Sequence, residues 1–138
     1  MNPTAHHYAV TVSDLDRAVA FYRDVLNLDV LTRFSVGGDA FATGVGIDGA
    51  SAEFAHLDAG DARVELVEYT PEGDATPDHA LNQPGATHLG LAVEDLDSVY
   101  ESLPADVETV ADPQTTESGT RILFLRDPDG TLVELLET

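Results

Sequence analysis

His7-Tyr8-Ala9-Val10-Thr11-Val12-Ser13-Asp14-Leu15-Asp16 is matched, 81 residues further on, by His88-Leu89-Gly90-Leu91-Ala92-Val93-Glu94-Asp95-Leu96-Asp97. Both stretches read His-x-x-apolar-x-Val-x-Asp-Leu-Asp. A second pair, Val64-Glu65-Leu66-Val67-Glu68 and Val133-Glu134-Leu135-Leu136-Glu137, recurs at a spacing of 69. The pairs fall in the same order, so the chain reads as two copies of one unit. The spacings differ by 12, which makes the first copy the longer one between its motifs. The Gly-rich stretch 37–49 is where the extra residues are expected.

Each copy implies the same element order. Residues 7–12 alternate, with Tyr8, Val10 and Val12 on one face and His7, Ala9 and Thr11 on the other, the pattern of a strand with one buried face. Ser13 is placed to cap a helix, with Asp16 in its first turn. Leu15, Val19, Tyr22, Val25 and Leu26 keep helical spacing to about Leu28. Strands are expected at 30–36, 52–58 and 62–70. In the second copy, strand 88–93 leads to a helix from Leu96 to Leu103, stopped by Pro104. Strands are then expected near 107–111, 120–126 and 131–137, the last two joined by the turn signal Asp127-Pro128-Asp129-Gly130. A βαβββ unit of this size cannot bury its own sheet face, so the copies are read as modules of a single domain spanning 1–138. Module one covers about 5–70, a Pro-, Gly- and Asp-rich linker about 71–86, and module two about 87–138.

Composition bounds the partners. The 138 residues carry 26 Asp and Glu against six Arg and no Lys, a formal charge of −20. No basic footprint for nucleic acid is available, nor one for an anionic membrane surface. Hydrophobic residues make up 43%, enough for a core and against disorder. An acidic excess this large, with Lys absent, resembles proteins adapted to concentrated salt, where screening relieves self-repulsion. The absence of Cys excludes disulfides and thiolate chemistry. No apolar run reaches membrane-spanning length and the first residues lack a signal pattern, so a cytoplasmic location is expected.

The repeat also singles out four polar residues. If Val10 and Leu91 face the core, His7 and His88 point the other way, beside Ala9 and Gly90. If Val64, Leu66, Val133 and Leu135 face the core, Glu65 and Glu134 also point away. One His or one outward Glu is ordinary surface. Two imidazoles and two carboxylates at matching points of two copies form a four-ligand set for a divalent metal, open to more than four-coordinate geometry. Glu68 and Glu137 are read as surface acids, and His56 as a solvated edge residue, with a place lining the cleft as the alternative. His6 and His79 are assigned no role. Phe41 and Tyr69 are candidates for an apolar substrate wall. Arg33, Arg63 and Arg121 are the available anion contacts, with Arg63 on the Glu65 face.

The stretch Asp14-Leu15-Asp16-Arg17-Ala18-Val19-Ala20-Phe21-Tyr22-Arg23-Asp24-Val25-Leu26, the strand Ala86 to Val93, and Phe124-Leu125-Arg126-Asp127-Pro128-Asp129-Gly130-Thr131-Leu132-Val133-Glu134-Leu135 together resemble the vicinal oxygen chelate superfamily. That superfamily includes glyoxalases, extradiol dioxygenases and bleomycin-resistance proteins. The resemblance covers essentially the whole chain. It implies an α+β fold in which two βαβββ modules form an open, U-shaped mixed β-sheet barrel with the helices outside. It implies that His7, Glu65, His88 and Glu134 hold one divalent ion (Ni, Co, Zn, Mn or Fe). It also implies a small-molecule substrate chelated through two neighbouring oxygens, and a homodimer in which each site draws on one chain or on two.

Extradiol dioxygenases typically use two His and one Glu. Glu65 fills the place they leave open, which favours a metal-dependent lyase or isomerase that stabilises an enolate-like intermediate, with Glu134 or Glu65 as base. An extradiol-type dioxygenase and a metal-free binding protein of the bleomycin-resistance kind are the alternatives. Thr11 and Tyr69 stand where bacterial-type glyoxalase I carries the Arg and Asn that serve glutathione, so a glutathione adduct is not the expected substrate.

Overall fold

The computed structural model describes residues 1–76 and 80–138; positions 77–79, with His79 and part of the linker, lie outside the described residues. The chain divides into two compact units, Met1–Thr76 and Pro77–Thr138. Each is a βαβββ unit around an open four-stranded mixed sheet, and the fold is α+β and glyoxalase-like.

In the first unit the strands are β1 (His7–Thr11), β2 (Val30–Val36), β3 (Ser51–Asp58) and β4 (Arg63–Thr70), in the order β1-β4-β3-β2. β1 runs parallel to β4, and β3 pairs antiparallel with β4 and β2. A parallel neighbour for β1 requires a crossover, which the first helix begins. Helix α1 (Leu15–Ala20) is capped by Asp14, whose side chain accepts from the Arg17 backbone N–H. The expected Ser13 cap is therefore displaced by one residue, and Ser13 instead accepts from the Arg17 guanidinium. The expected helix to Leu28 also changes character, because Phe21–Val25 form a π-helical turn that ends at Leu26. That wider turn keeps both Phe21 and Tyr22 buried. The Gly-rich insertion holds a short helix, α2 (Asp39–Val45), closed by Gly46 at φ 71°. No helix was expected there.

One face of this sheet packs on α1 through Val10, Ala55, Leu57, Val64 and Leu66, all nearly inaccessible. Leu66 is 0% exposed, and truncating it leaves a cavity that the surrounding strands and helix only partly fill. Leu66→Ala is expected to cost about 3 kcal/mol in denaturant unfolding at fixed salt. Leu31→Ala, at a position 47% exposed, should fall within about 0.5 kcal/mol of wild type.

The second unit repeats the topology with β5 (Leu89–Ala92), α3 (Leu96–Ser102), β6 (Gln114–Thr115), β7 (Arg121–Arg126) and β8 (Leu132–Glu137), in the order β5-β8-β7-β6. Again the first strand is parallel to the last. Leu123, Leu125, Val133, Leu135 and Leu96 form its core. The turn before β8 closes as its sequence implies: the Asp127 carboxylate accepts from the Asp129 and Thr131 backbone N–H groups at 2.9 Å each, and Gly130 takes φ 86°. Two expectations fail here. Residues 107–111 form no strand, only a single bridge from Thr109 to Leu125, and the edge strand is the two-residue β6 instead. Glu137 is no idle surface acid, because its carboxylate accepts from the Leu96 N–H at 2.9 Å and ties β8 to the start of α3.

Candidate metal centre

Alternation on β3 and β4 fixes what the helix-free face of the first sheet presents. Opposite Ala55–Leu66 and Leu57–Val64, which face the helix, the cross-strand pairs His56–Glu65, Phe54–Val67 and Ala52–Tyr69 face the other way. His7 projects from the start of β1 onto the same face. Its Nε2 lies 3.2 Å from Glu65 Oε2, with side-chain exposures of 36% and 13%. In the second sheet His88 immediately precedes β5, and its Nε2 lies 3.1 Å from Glu134 Oε2. Their side chains are 36% and 20% exposed. Ala9 pairs with Glu65 and Gly90 with Glu134, so the residue beside each carboxylate is small. A β-carbon at Gly90 would already stand 3.8 Å from Glu134 Oε2.

The four expected ligands thus occur as two His–Glu pairs, one in each unit. Among the described residues, no group of three or more His, Cys, Asp or Glu side chains is arranged to hold a metal ion. Within each pair the spacing suits adjacent ligands. Two donors at right angles on an octahedral ion with bonds of about 2.1 Å stand about 3 Å apart. A neutral imidazole nitrogen and a carboxylate oxygen also match the donor preferences of Zn, Ni, Co, Mn and Fe.

Two histidines play larger parts than the sequence suggested. His56 is no solvated edge residue: it is 6% exposed, its Nε2 donates to Glu65 Oε1 at 2.9 Å, and Arg63 Nη1 lies 3.2 Å from its Nδ1. His6, given no role from sequence, lies with Nδ1 2.8 Å from His7 Nδ1 and so orients that ring. The signal for His56 was present in the chain. His56 and Glu65 are equidistant from the Gly60-Asp61 turn, which makes them opposite partners in any hairpin centred there.

Phe41 from α2 stacks on Tyr69 with ring centroids 6.3 Å apart, and both pack on Ala52, Phe54 and Val67. Phe34 stacks on Phe54 at 5.0 Å and meets His56 edge-on at 5.2 Å. An aromatic wall therefore stands on the same sheet face as Glu65. Of the arginines considered as anion contacts, Arg33 pairs with Asp16 at 2.8 Å and Arg121 pairs with Asp97 and Thr115.

Two βαβββ units, each carrying a His–Glu pair at the same strand positions, define a protein of the glyoxalase-like class. Over residues 4–135 the chain matches the Glyoxalase/Bleomycin resistance protein/Dioxygenase superfamily, and it belongs to that family. It is 32% identical, over 95% of its length and 77% of the relative's, to a 2-epi-5-epi-valiolone epimerase of an Actinomyces species. It is 28% identical to a probable lactoylglutathione lyase of Synechocystis, covering 96% of this chain and 93% of that one. Among solved structures, a glyoxalase family protein from Bacillus cereus superposes with a TM-score of 0.88 at 25% identity, over 99% of this chain and 95% of that one.

Proposed function

We propose that this protein is a metal-dependent isomerase or lyase whose substrate is a small carbonyl compound with two neighbouring oxygens. His7, Glu65, His88 and Glu134 are its protein ligands for a divalent ion. A bound ion of this kind supplies Lewis acidity to a chelated carbonyl, favouring loss of a proton from the adjacent carbon. The observation that carries the reading is the repetition of one His–Glu contact, at 3.2 and 3.1 Å, at equivalent positions of two units. The homodimer implied by the resemblance belongs to the same proposal.

The two carboxylates differ in what already holds them. Glu65 has an imidazole at each oxygen, His7 at Oε2 and His56 at Oε1. Glu134 has His88 at Oε2, and among the described residues no partner occupies its Oε1. Glu134 is therefore the group to take a proton from the carbon beside the carbonyl and return it. The epimerase relative supports a reaction that removes and restores one proton on a carbon. Thr11 and Tyr69 support a substrate without glutathione, and the aromatic wall suits an apolar face of that substrate.

The test is a screen of α-hydroxy ketones in D2O and concentrated salt, after loading with Ni, Co, Zn, Mn or Fe. Deuterium should enter the carbon next to the carbonyl with the loaded protein and should not with His88→Ala. Failure of every one of these metals to bind the wild-type chain would overturn the proposal. Oxygen consumption with a catechol and Fe(II) would replace it with the dioxygenase reading.

A further inference from the structure

The internal repeat makes one asymmetry visible. On β3, His56 stands directly opposite Glu65; on β7, the residue directly opposite Glu134 is Phe124. The same place in the two units thus holds a hydrogen-bonding ring in one and a hydrocarbon ring in the other. Phe124 contacts His88 edge-on, with centroids 5.1 Å apart, and has nothing to donate to a carboxylate. His56 is 6% exposed and has both ring nitrogens engaged. An arginine guanidinium has only N–H donors, so Arg63 Nη1 at 3.2 Å obliges His56 Nδ1 to accept. The ring proton must then sit on Nε2, where it is donated to Glu65 Oε1 at 2.9 Å. Arg63, His56 and Glu65 form a directed chain of hydrogen bonds, and the second unit has no counterpart at Phe124.

We infer that His56, set by Arg63, is a positioning residue that holds Glu65 Oε1 and leaves Oε2, beside His7, as the single oxygen offered to a metal ion. This rests on the metal-dependent reading above. It gives the two repeated carboxylates different duties: Glu65 is pinned as a ligand by a neighbour built for that purpose, and Glu134 keeps an oxygen for substrate. Groups that orient a metal-bound carboxylate commonly matter roughly 10- to 100-fold in metal affinity or activity when removed.

The experiment titrates Co2+ into the whole chain in concentrated KCl at one pH, following the visible d–d bands. It compares wild type, His56→Phe, His56→Gln and Arg63→Met. His56→Phe copies the residue the second unit uses at this place, and circular dichroism confirms that each variant is folded. His56→Phe is expected to weaken Co2+ binding by roughly 10- to 100-fold, Arg63→Met by less, and His56→Gln, which keeps a donor, should recover most of the loss. In turnover at saturating Co2+, His56→Phe should lower kcat with little change in KM. Wild-type affinity in folded His56→Phe would overturn the inference while leaving the metal site standing. Complete loss of the Co2+ bands in both His56 variants would make His56 a ligand itself and equally overturn it. Absence of Co2+ binding by the wild type would remove the functional reading and the inference together.

Discussion

Glu134→Gln is expected to reduce turnover by a factor of about 100 to 10,000 while the protein stays folded. Glutamine keeps the shape of the side chain and can still accept the hydrogen bond that His88 Nε2 makes at 3.1 Å. The site is on a strand whose flanking residues Val133 and Leu135 carry the packing, and the Glu134 side chain itself is 20% exposed. An amide in place of the carboxylate has no basic oxygen to take a proton, and it removes one negative charge from the proposed ligand set. Metal affinity should fall as well, so the decisive measurement is the rate at saturating metal, where weakened binding is compensated and the loss of the base is not. Glu101→Gln, on the exposed surface of α3, is the matched control and should leave the rate unchanged. Full turnover by metal-saturated Glu134→Gln would move the proton transfer to another group and remove the distinction drawn between the two carboxylates.

That distinction was not legible in the sequence, whereas most of what surrounds it was. Period-two alternation and the 81-residue repeat were enough to place β1 and β5, the two helices that follow them, and the outward direction of His7, His88, Glu65 and Glu134. Alternation decides only which side of its own strand a residue occupies. Which residue it meets across the sheet depends on register, and register is set by the turn. The Gly60-Asp61 turn brings His56 opposite Glu65, so this partner is read from the turn's position and not from alternation alone. Helix α2 was missed for a different reason. Its segment contains Gly44 and is flanked by Gly37, Gly38, Gly46 and Gly49, so propensity argues against a helix, and α2 has no fully buried residue to supply an amphipathic signal. The strand expected at 107–111 does not form because this segment meets β7 at a single bridge, Thr109 to Leu125, and apolar residues alone do not fix a ladder.

Lowering the salt is expected to weaken the whole molecule. Against 26 carboxylates stand six guanidinium groups. Arginine–carboxylate pairs among the described residues include Arg23–Asp24, Arg33–Asp16, Arg121–Asp97 and Arg126–Glu108, the last at a long 3.9 Å. Arg63 is turned toward His56 instead. With six cations for 26 acids, the carboxylates greatly outnumber the guanidinium groups that could neutralise them. Two like charges about 10 Å apart in water repel by about 0.4 kcal/mol, a small amount for one pair. A folded surface holding many such pairs accumulates several kcal/mol, comparable with the whole stability of a small domain. The unfolded chain separates the same charges and is penalised less. At 0.1 M salt the Debye length is about 10 Å and much of this repulsion survives; at 1 M it is about 3 Å and nearly all of it is gone. Relief of about 3 kcal/mol would raise the thermal midpoint by roughly 10 °C for a chain of this size. Thermal unfolding followed by circular dichroism across a KCl series should show that rise, with the steepest gain below 1 M, where the Debye length changes most. A midpoint independent of KCl would refute the electrostatic account. A midpoint that climbs only with sulfate, and only at high concentration, would point to exclusion of the salt from apolar surface instead. The two cases also diverge in activity. If repulsion is the cause, turnover in dilute buffer should fall in proportion to the unfolded fraction and return on adding KCl.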